Sequence, residues 1–312
     1  MVHKSDDDPR RFLDPAVLAR MGRLDLRAKQ AVEGFITGLH TSHFFGHSVE
    51  FAQHREYVRG DDLRHLDWKV WSKTDRYYIK QYESETNLRA TFVVDVSESM
   101  RYGRGAFTKY DSASTIAACL GYLTLRQHDS AGLISFDSSV RQVVPARAAI
   151  AHIDALVQAL HVSKPKEKTD LEQICRRVAE VTPSRGLIVL ISDFLCDRPP
   201  LFRGLEMLRH RRHDILVFHV LDNDELEFPF AGTTKFEGME QMPDLMCDPR
   251  ALRDGYLEEL QTYLTEVRRG CSRRGIDYTL VRTGDNLDSV LTRYLNFRAA
   301  VIKNGGRIPV GG

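Results

Sequence analysis

Residues 91–99, TFVVDVSES, decide how this chain folds. The run TFVVDV is apolar on both faces of an extended segment, the pattern of a central parallel strand covered by helices on each side. Asp95, Ser97 and Ser99 then follow on alternate residues at its carboxyl end, which is where open α/β sheets bind their ligands. Carboxylate and hydroxyl oxygens suit a hard cation such as Mg²⁺ far better than Cys or His would. The stretch therefore reads as a buried strand that ends in a metal site.

Working outward, two further pieces arrive downstream. Thr169 and Asp170 open a helical stretch, TDLEQICRRVAEV, and Asp193 follows a second buried-strand run, GLIVLISD, at its carboxyl end. The alternation of strands and helices from residue 91 predicts an α/β fold with a doubly wound, mostly parallel sheet, the metal lying where the strand order reverses. Between these pieces, Asp111 is expected to cap a helix through Arg126, whose Ala113, Ala117, Ala118 and Gly121 let it lie close on the sheet. GLISFD and VRQVVP read as paired strands, the second at an edge. Pro199-Pro200 reads as a break before a helix LFRGLEMLRH, and DILVFHVLD as a buried strand with Asp222 and Asp224 near the site. A long helix over 249–273, a strand GIDYTLVRT and a helix over 286–301 complete the pattern.

Length and composition agree with this. The chain has 312 residues, 42% hydrophobic and 28% charged, enough to bury a substantial core. A formal net charge of +1 gives no global attraction to nucleic acid or to an anionic membrane. No apolar run approaches the ~18 residues of a membrane span, and the opening MVHKSDDDPRRF does not read as a signal peptide. Five cysteines, Cys119, Cys175, Cys196, Cys247 and Cys271, are scattered without a CxxC pair, which suits a reducing cytoplasm.

The expected organisation is a disordered or helical start over 1–25, a segment over 26–90 packed on the main domain, the α/β domain over 91–300 with a hairpin-like insert at 225–248, and a flexible tail over 301–312. No proline- or glycine-rich linker separates the first 90 residues from the rest. Their histidines, His40, His43, His47 and His54, lack a nearby Cys and do not form two ligand pairs, so a structural zinc site is not expected. Arg55, Glu56, Arg59, Asp61, Asp62, Arg64, Asp67 and Lys73 alternate in sign around Tyr57, Trp68 and Trp71, as an ion-pair network fixing a compact turn would, with Asp62 as a helix cap.

Asp95, Ser97, Ser99, Thr169 and Asp193 resemble, in order, the metal-ion-dependent adhesion site of the von Willebrand factor A-like family. That resemblance implies that the two serines and the threonine bind the ion directly or through water, while the aspartates set the charge. Phe194 departs from it, standing where many relatives have Gly, which puts the local turn in question. Upstream, Gly46, Glu50-Phe51, Arg55, Tyr57, Gly60-Asp61-Asp62, Arg64, Asp67-Trp68, Thr74-Asp75, Lys80 and Glu83 to Asn87 resemble the signature of the bacterial family called domain of unknown function fifty-eight. The resemblance runs from about Asp25 to Leu295 and implies an N-terminal α+β segment added to a von Willebrand A-like domain. It also implies a cytoplasmic adaptor of a MoxR-type AAA+ ATPase.

Two functions compete. One is a non-enzymatic protein-binding module in which a partner's acidic side chain completes the shell of Mg²⁺ or Mn²⁺ on an exposed sheet edge. The other is a Mg²⁺-dependent hydrolase or phosphotransferase that uses the same ion as a Lewis acid. Ser97 stands where an aspartyl-phosphate site would place a second Asp, and no GxSxG, GxxxxGK[ST] or GxGxxG signature occurs, so the binding module is the expectation.

Overall fold

The computed structural model describes residues 12–13, 49–57, 67–74, 76–84, 88–105, 107–163, 170–232, 234–236, 245–283, 285 and 290. Most of the disordered or helical start expected over 1–25, the Gly60-Asp61-Asp62 turn with its cap, His40, His43, His47, Thr169 and the tail lie outside these residues, as does most of the helix expected over 286–301.

Strand β1 (Val49–Glu56) pairs antiparallel with β2 (Tyr78–Ser84), from Val49 opposite Ser84 to Glu56 opposite Tyr78. Helix α1 (Trp68–Thr74) lies between them in sequence, and the Asp67 carboxylate accepts from Val70 N at 3.3 Å in its first turn. Trp71 and Tyr77 stack at 6.0 Å.

The main sheet has six strands in the order β10-β7-β6-β3-β4-β5. Here β3 is Arg89–Asp95, β4 Ser130–Phe136, β5 Val140–Arg147, β6 Leu187–Ser192, β7 Asp214–Leu221 and β10 Asp277–Arg282. All neighbours run parallel except β5, which closes one edge antiparallel to β4. The α/β, mostly parallel architecture read from the sequence is thus the observed one.

Period-two alternation divides the core. Phe92, Val94, Val189 and Ile191 face helices α2 (Lys109–Arg126) and α3 (Ile153–Val162). Val93, Ile188 and Leu190 face α4 (Leu171–Val181), α5 (Arg198–His210) and the long helix α7 (Pro249–Arg273). Continuous apolar runs such as LIVLI are needed because both faces of each central strand are covered. On α2 small side chains allow close approach: a Cβ on Gly121 would meet Leu156 Cδ1 of α3 at 3.2 Å and Phe92 Cε2 of β3 at 3.6 Å. Phe12 is buried against the same core, its ring 6.4 Å from that of Tyr110.

Two local expectations are corrected. Helix α2 is capped by Thr108, not by Asp111. The Thr108 side chain accepts from Asp111 N at 3.0 Å while the Asp111 carboxylate accepts from Thr108 N at 3.1 Å, a reciprocal box that starts the helix three residues earlier. Pro199-Pro200 does not break the chain but sits in the first turn of α5, where a missing N–H costs no intrahelical bond. After β7 comes a short helix α6 (Asn223–Glu227), then an antiparallel pair, β8 (Thr234–Phe236) with β9 (Leu245–Cys247).

Candidate metal centre

The connection from β3 to β4 leads one way across the sheet, while β6, β7 and β10 extend the other way. The crevice between the carboxyl ends of β3 and β6 is therefore the point where the strand order reverses. Val94 of β3 stands beside Ile191 of β6, so Asp95 and Asp193, one and two residues further on, end adjacent strands.

Past β3 the chain enters a single 3₁₀ turn, Glu98–Arg101. Ser97 N donates to Asp95 Oδ1 at 2.8 Å, folding the loop back over the strand end. This brings the Ser97 and Ser99 hydroxyls into a hydrogen bond, with their oxygens 3.1 Å from one another. Neighbouring oxygens of an octahedral Mg²⁺ shell lie about 3.0 Å apart, given Mg–O distances of about 2.1 Å. Across the crevice, Ser192 Oγ donates to Asp95 Oδ2 at 2.5 Å and accepts from Phe194 N at 3.0 Å.

Phe194 takes the left-handed conformation, with φ of 49°. The turn is therefore the one a glycine would make, held here by a buried ring that packs edge-on against His219 at 5.2 Å. Tyr263 OH donates to the Phe194 carbonyl. His219 is itself buried, with Nδ1 2.9 Å from Tyr278 OH, and burial pushes its pKa down to about 4.

The structure brings four of the five sequence-designated residues together, and Thr169 lies outside the described residues, next to the Asp170 cap of α4. One expectation is corrected here. The site was placed on an exposed sheet edge, yet Asp95 and Ser97 are 0% exposed, Asp193 2% and Ser99 4%. Lys109, the first residue of α2, holds its ammonium against Asp193.

Among the described residues, the strand ends carry too little positive charge. Burial, reinforced by the charge of Asp193, pushes the Asp95 carboxyl up to about 7, against the opposing bonds from Ser192 and Ser97. The cation paired with Asp193 among the described residues is Lys109, which no metal-site pattern in the sequence marks. Its Nζ donates to Asp193 Oδ2 at 2.8 Å and to Glu225 Oε1 at 2.7 Å, and the side chain is 1% exposed. Burial alone would lower the Lys109 pKa, but these two carboxylates outweigh it and the net direction is up. Glu225 was likewise missed, having been read as the first residue of an insert. Burial raises its pKa, with Lys109 pulling the other way.

Sequence signals for both existed. Thr108-x-x-Asp111 and Asp222-x-x-Glu225 are capping boxes, and each assigns its residue a place at a helix start. Asp222 caps α6 and Asp224 lies in its first turn. Asp222 Oδ2 accepts from Thr283 Oγ1 at 2.6 Å, and Asp224 Oδ2 accepts from Tyr102 OH at 3.1 Å.

The donor set fits a small divalent ion in chemistry and spacing: two hydroxyls at cis-octahedral separation, with two buried carboxylates whose charge the Lys109 ammonium alone does not balance among the described residues. Among the described residues no three His, Cys, Asp or Glu side chains form a metal cluster, so such an ion would depend on the serine hydroxyls.

Comparison with known proteins adds a family. The family model described as "Protein of unknown function DUF58" matches residues 53–265. The uncharacterized protein Rv1480 of Mycobacterium tuberculosis is 27% identical over 293 residues, 91% of this chain and 90% of that protein. Among solved structures, the conserved hypothetical protein BatB from Bacteroides thetaiotaomicron is 14% identical with a TM-score of 0.46, over 68% of this chain and 99% of that one. The SpRpn10 VWA domain is 12% identical with a TM-score of 0.39, over 67% of this chain and 95% of that one. The α/β assignment itself rests on the strand order and register. Among the described residues no helix is long and apolar enough to cross a membrane.

Proposed function

This chain belongs to the DUF58 family, and from that premise and the geometry of its strand ends we propose that it is a non-enzymatic, metal-dependent protein-binding module. The observation that carries the reading is the 3.1 Å approach of the Ser97 and Ser99 hydroxyls beside two buried carboxylates. Asp95, Ser97, Ser99 and Asp193 would hold Mg²⁺ or Mn²⁺, with Thr169 as the fifth residue of the pattern. A divalent ion held largely by neutral hydroxyls stays electrophilic and attracts a carboxylate from a partner.

The state of Asp95 supports binding over phosphoryl transfer. Its Oδ1 accepts from Ser97 N and its Oδ2 from Ser192 Oγ, so both oxygens are hydrogen-bonded and the carboxylate is buried rather than presented as a nucleophile. The partner we propose is a MoxR-type AAA+ ATPase or its substrate, on the strength of the family resemblance, with this chain as its cytoplasmic adaptor.

The test is calorimetric. Wild type should bind one Mg²⁺ or Mn²⁺ per chain, and Asp95→Ala should abolish binding while its far-ultraviolet circular dichroism is unchanged. Equal binding by the mutant would remove the assignment. Capture of the MoxR-type ATPase in Mg²⁺ that persists unchanged in chelator would remove the metal-bridged contact while leaving the ion site standing.

A further inference from the structure

Lys109 is in an unfavourable place for a lysine. It is the first residue of α2, where the positive end of the helix dipole opposes a cation. Its side chain is 1% exposed, and lysine is almost never buried to that degree unless paired. Desolvating an ammonium is costly, and only good partners offset it.

Those partners come from two other elements. Asp193 lies 84 residues away at the end of β6, and Glu225 lies 116 residues away in α6. Glu225 is fully engaged, since its Oε2 accepts from Asp222 N at 2.7 Å while its Oε1 accepts from Lys109. Asp222 in turn accepts from Thr283 beyond β10. One cation thus ties the end of β6 to α6 and, through the α6 cap, to the far edge strand.

We propose that Lys109 is an intramolecular cation that competes with the divalent ion for Asp193, so that ion binding displaces its ammonium from Asp193 and is transmitted through Glu225 to α6. This rests on the metal-site reading given above. The physical ground is charge: Asp193 Oδ2 already accepts from the Lys109 ammonium at 2.8 Å and Oδ1 from Leu195 N at 3.3 Å, and a monovalent and a divalent cation drawn to one buried carboxylate repel each other at short range with little water between them. In the absence of the ion, Lys109 neutralises Asp193 and keeps the buried site closed. The chain consequently folds without metal and binds it weakly.

The test uses the full-length chain with Mn²⁺ as the probe. Lys109→Met, nearly isosteric and uncharged, should bind Mn²⁺ at least tenfold tighter than wild type by calorimetry. Its melting temperature should fall in chelator and recover with Mn²⁺ by much more than that of wild type. A folded Lys109→Met chain that binds Mn²⁺ no tighter than a binding-competent wild type overturns the competition and leaves the metal site intact. Absence of Mn²⁺ binding by both chains overturns the metal site as well.

A second measurement needs no mutant. In wild type, acylation of Lys109 by an amine-reactive ester, followed by peptide mass spectrometry, should be severalfold faster in saturating Mn²⁺ than in chelator. Labelling that is unchanged or slower with Mn²⁺ bound overturns the proposal, including where Lys109→Met does not fold.

Discussion

Ser192 Oγ and Asp95 Oδ2 meet at 2.5 Å, 97 residues apart in sequence, and join the carboxyl ends of β6 and β3. The same hydroxyl accepts from Phe194 N at 3.0 Å, so one small side chain both donates to the buried carboxylate and sets the turn after β6. Ser192→Ala leaves a buried carboxylate short of a donor and a buried N–H short of an acceptor. Removing such partners costs about 1–3 kcal/mol per orphaned group, so a loss of about 2–3 kcal/mol in urea unfolding is expected. A midpoint indistinguishable from wild type would show that the bond contributes nothing net.

Phe194 combines a left-handed backbone with a buried ring, and the two contributions can be separated. Phe194→Gly loses ring burial, worth about 3–5 kcal/mol in large-to-small substitutions, but relieves a backbone penalty of about 1–2 kcal/mol. Phe194→Ala loses the burial and keeps the penalty. Both variants should be less stable than wild type, with the glycine variant above the alanine variant by about 1 kcal/mol. Chemical denaturation ranks them, and the reverse order would mean that the left-handed turn does not persist.

Asp129 offers a pH test away from the metal centre. Burial pushes its carboxyl up to about 6, while a bond from Leu88 N at 2.8 Å favours the ionised form. An acid with a folded-state pKa above its unfolded value of about 3.9 keeps its proton longer in the folded chain. Its contribution therefore falls as pH rises from about 4 to about 6, and the loss is complete above that. Asp129→Asn retains an oxygen for Leu88 N. It should be more stable than wild type by about 1 kcal/mol at pH 7, after allowance for solvent screening, and no more stable near pH 4. Urea titrations at both pH values check this, and a difference independent of pH would contradict it.

Gly132 lies where β4 meets the irregular register of β5. A Cβ there would stand 2.8 Å from Ala146 N and 2.9 Å from Val144 O, backbone atoms that cannot swing aside as a side chain does. Gly132→Ala should cost about 1–3 kcal/mol, as overpacking does. Thermal unfolding would show it, and a neutral result would mean that β5 shifts freely.

The strands β3 and β6, the helices around them and the metal-type oxygens at their carboxyl ends were legible because each is a local pattern. Apolar runs long enough to be covered on both faces specify central strands, and Asp-x-Ser-x-Ser places three oxygens on one turn whatever surrounds them. Helix starts are less legible: a capping box contains two plausible caps, here Thr108 and Asp111, and only the helical register shows that Thr108 is the one that precedes the helix. That shift of three residues is what puts Lys109 on the first turn, facing the crevice.

What only the tertiary structure decided is the charge balance and access of the site. Asp193 meeting Lys109, Glu225 meeting Lys109, and Ser192 meeting Asp95 are contacts across 84, 116 and 97 residues. They exist because the strand order places β6 beside β3, with β7, which leads into α6, on its other side. The burial of Asp95, Ser97, Ser99 and Asp193 has the same origin. Local spacing assigns oxygens to a strand end, but whether that end faces water or an ammonium depends on which distant segments the sheet brings over it.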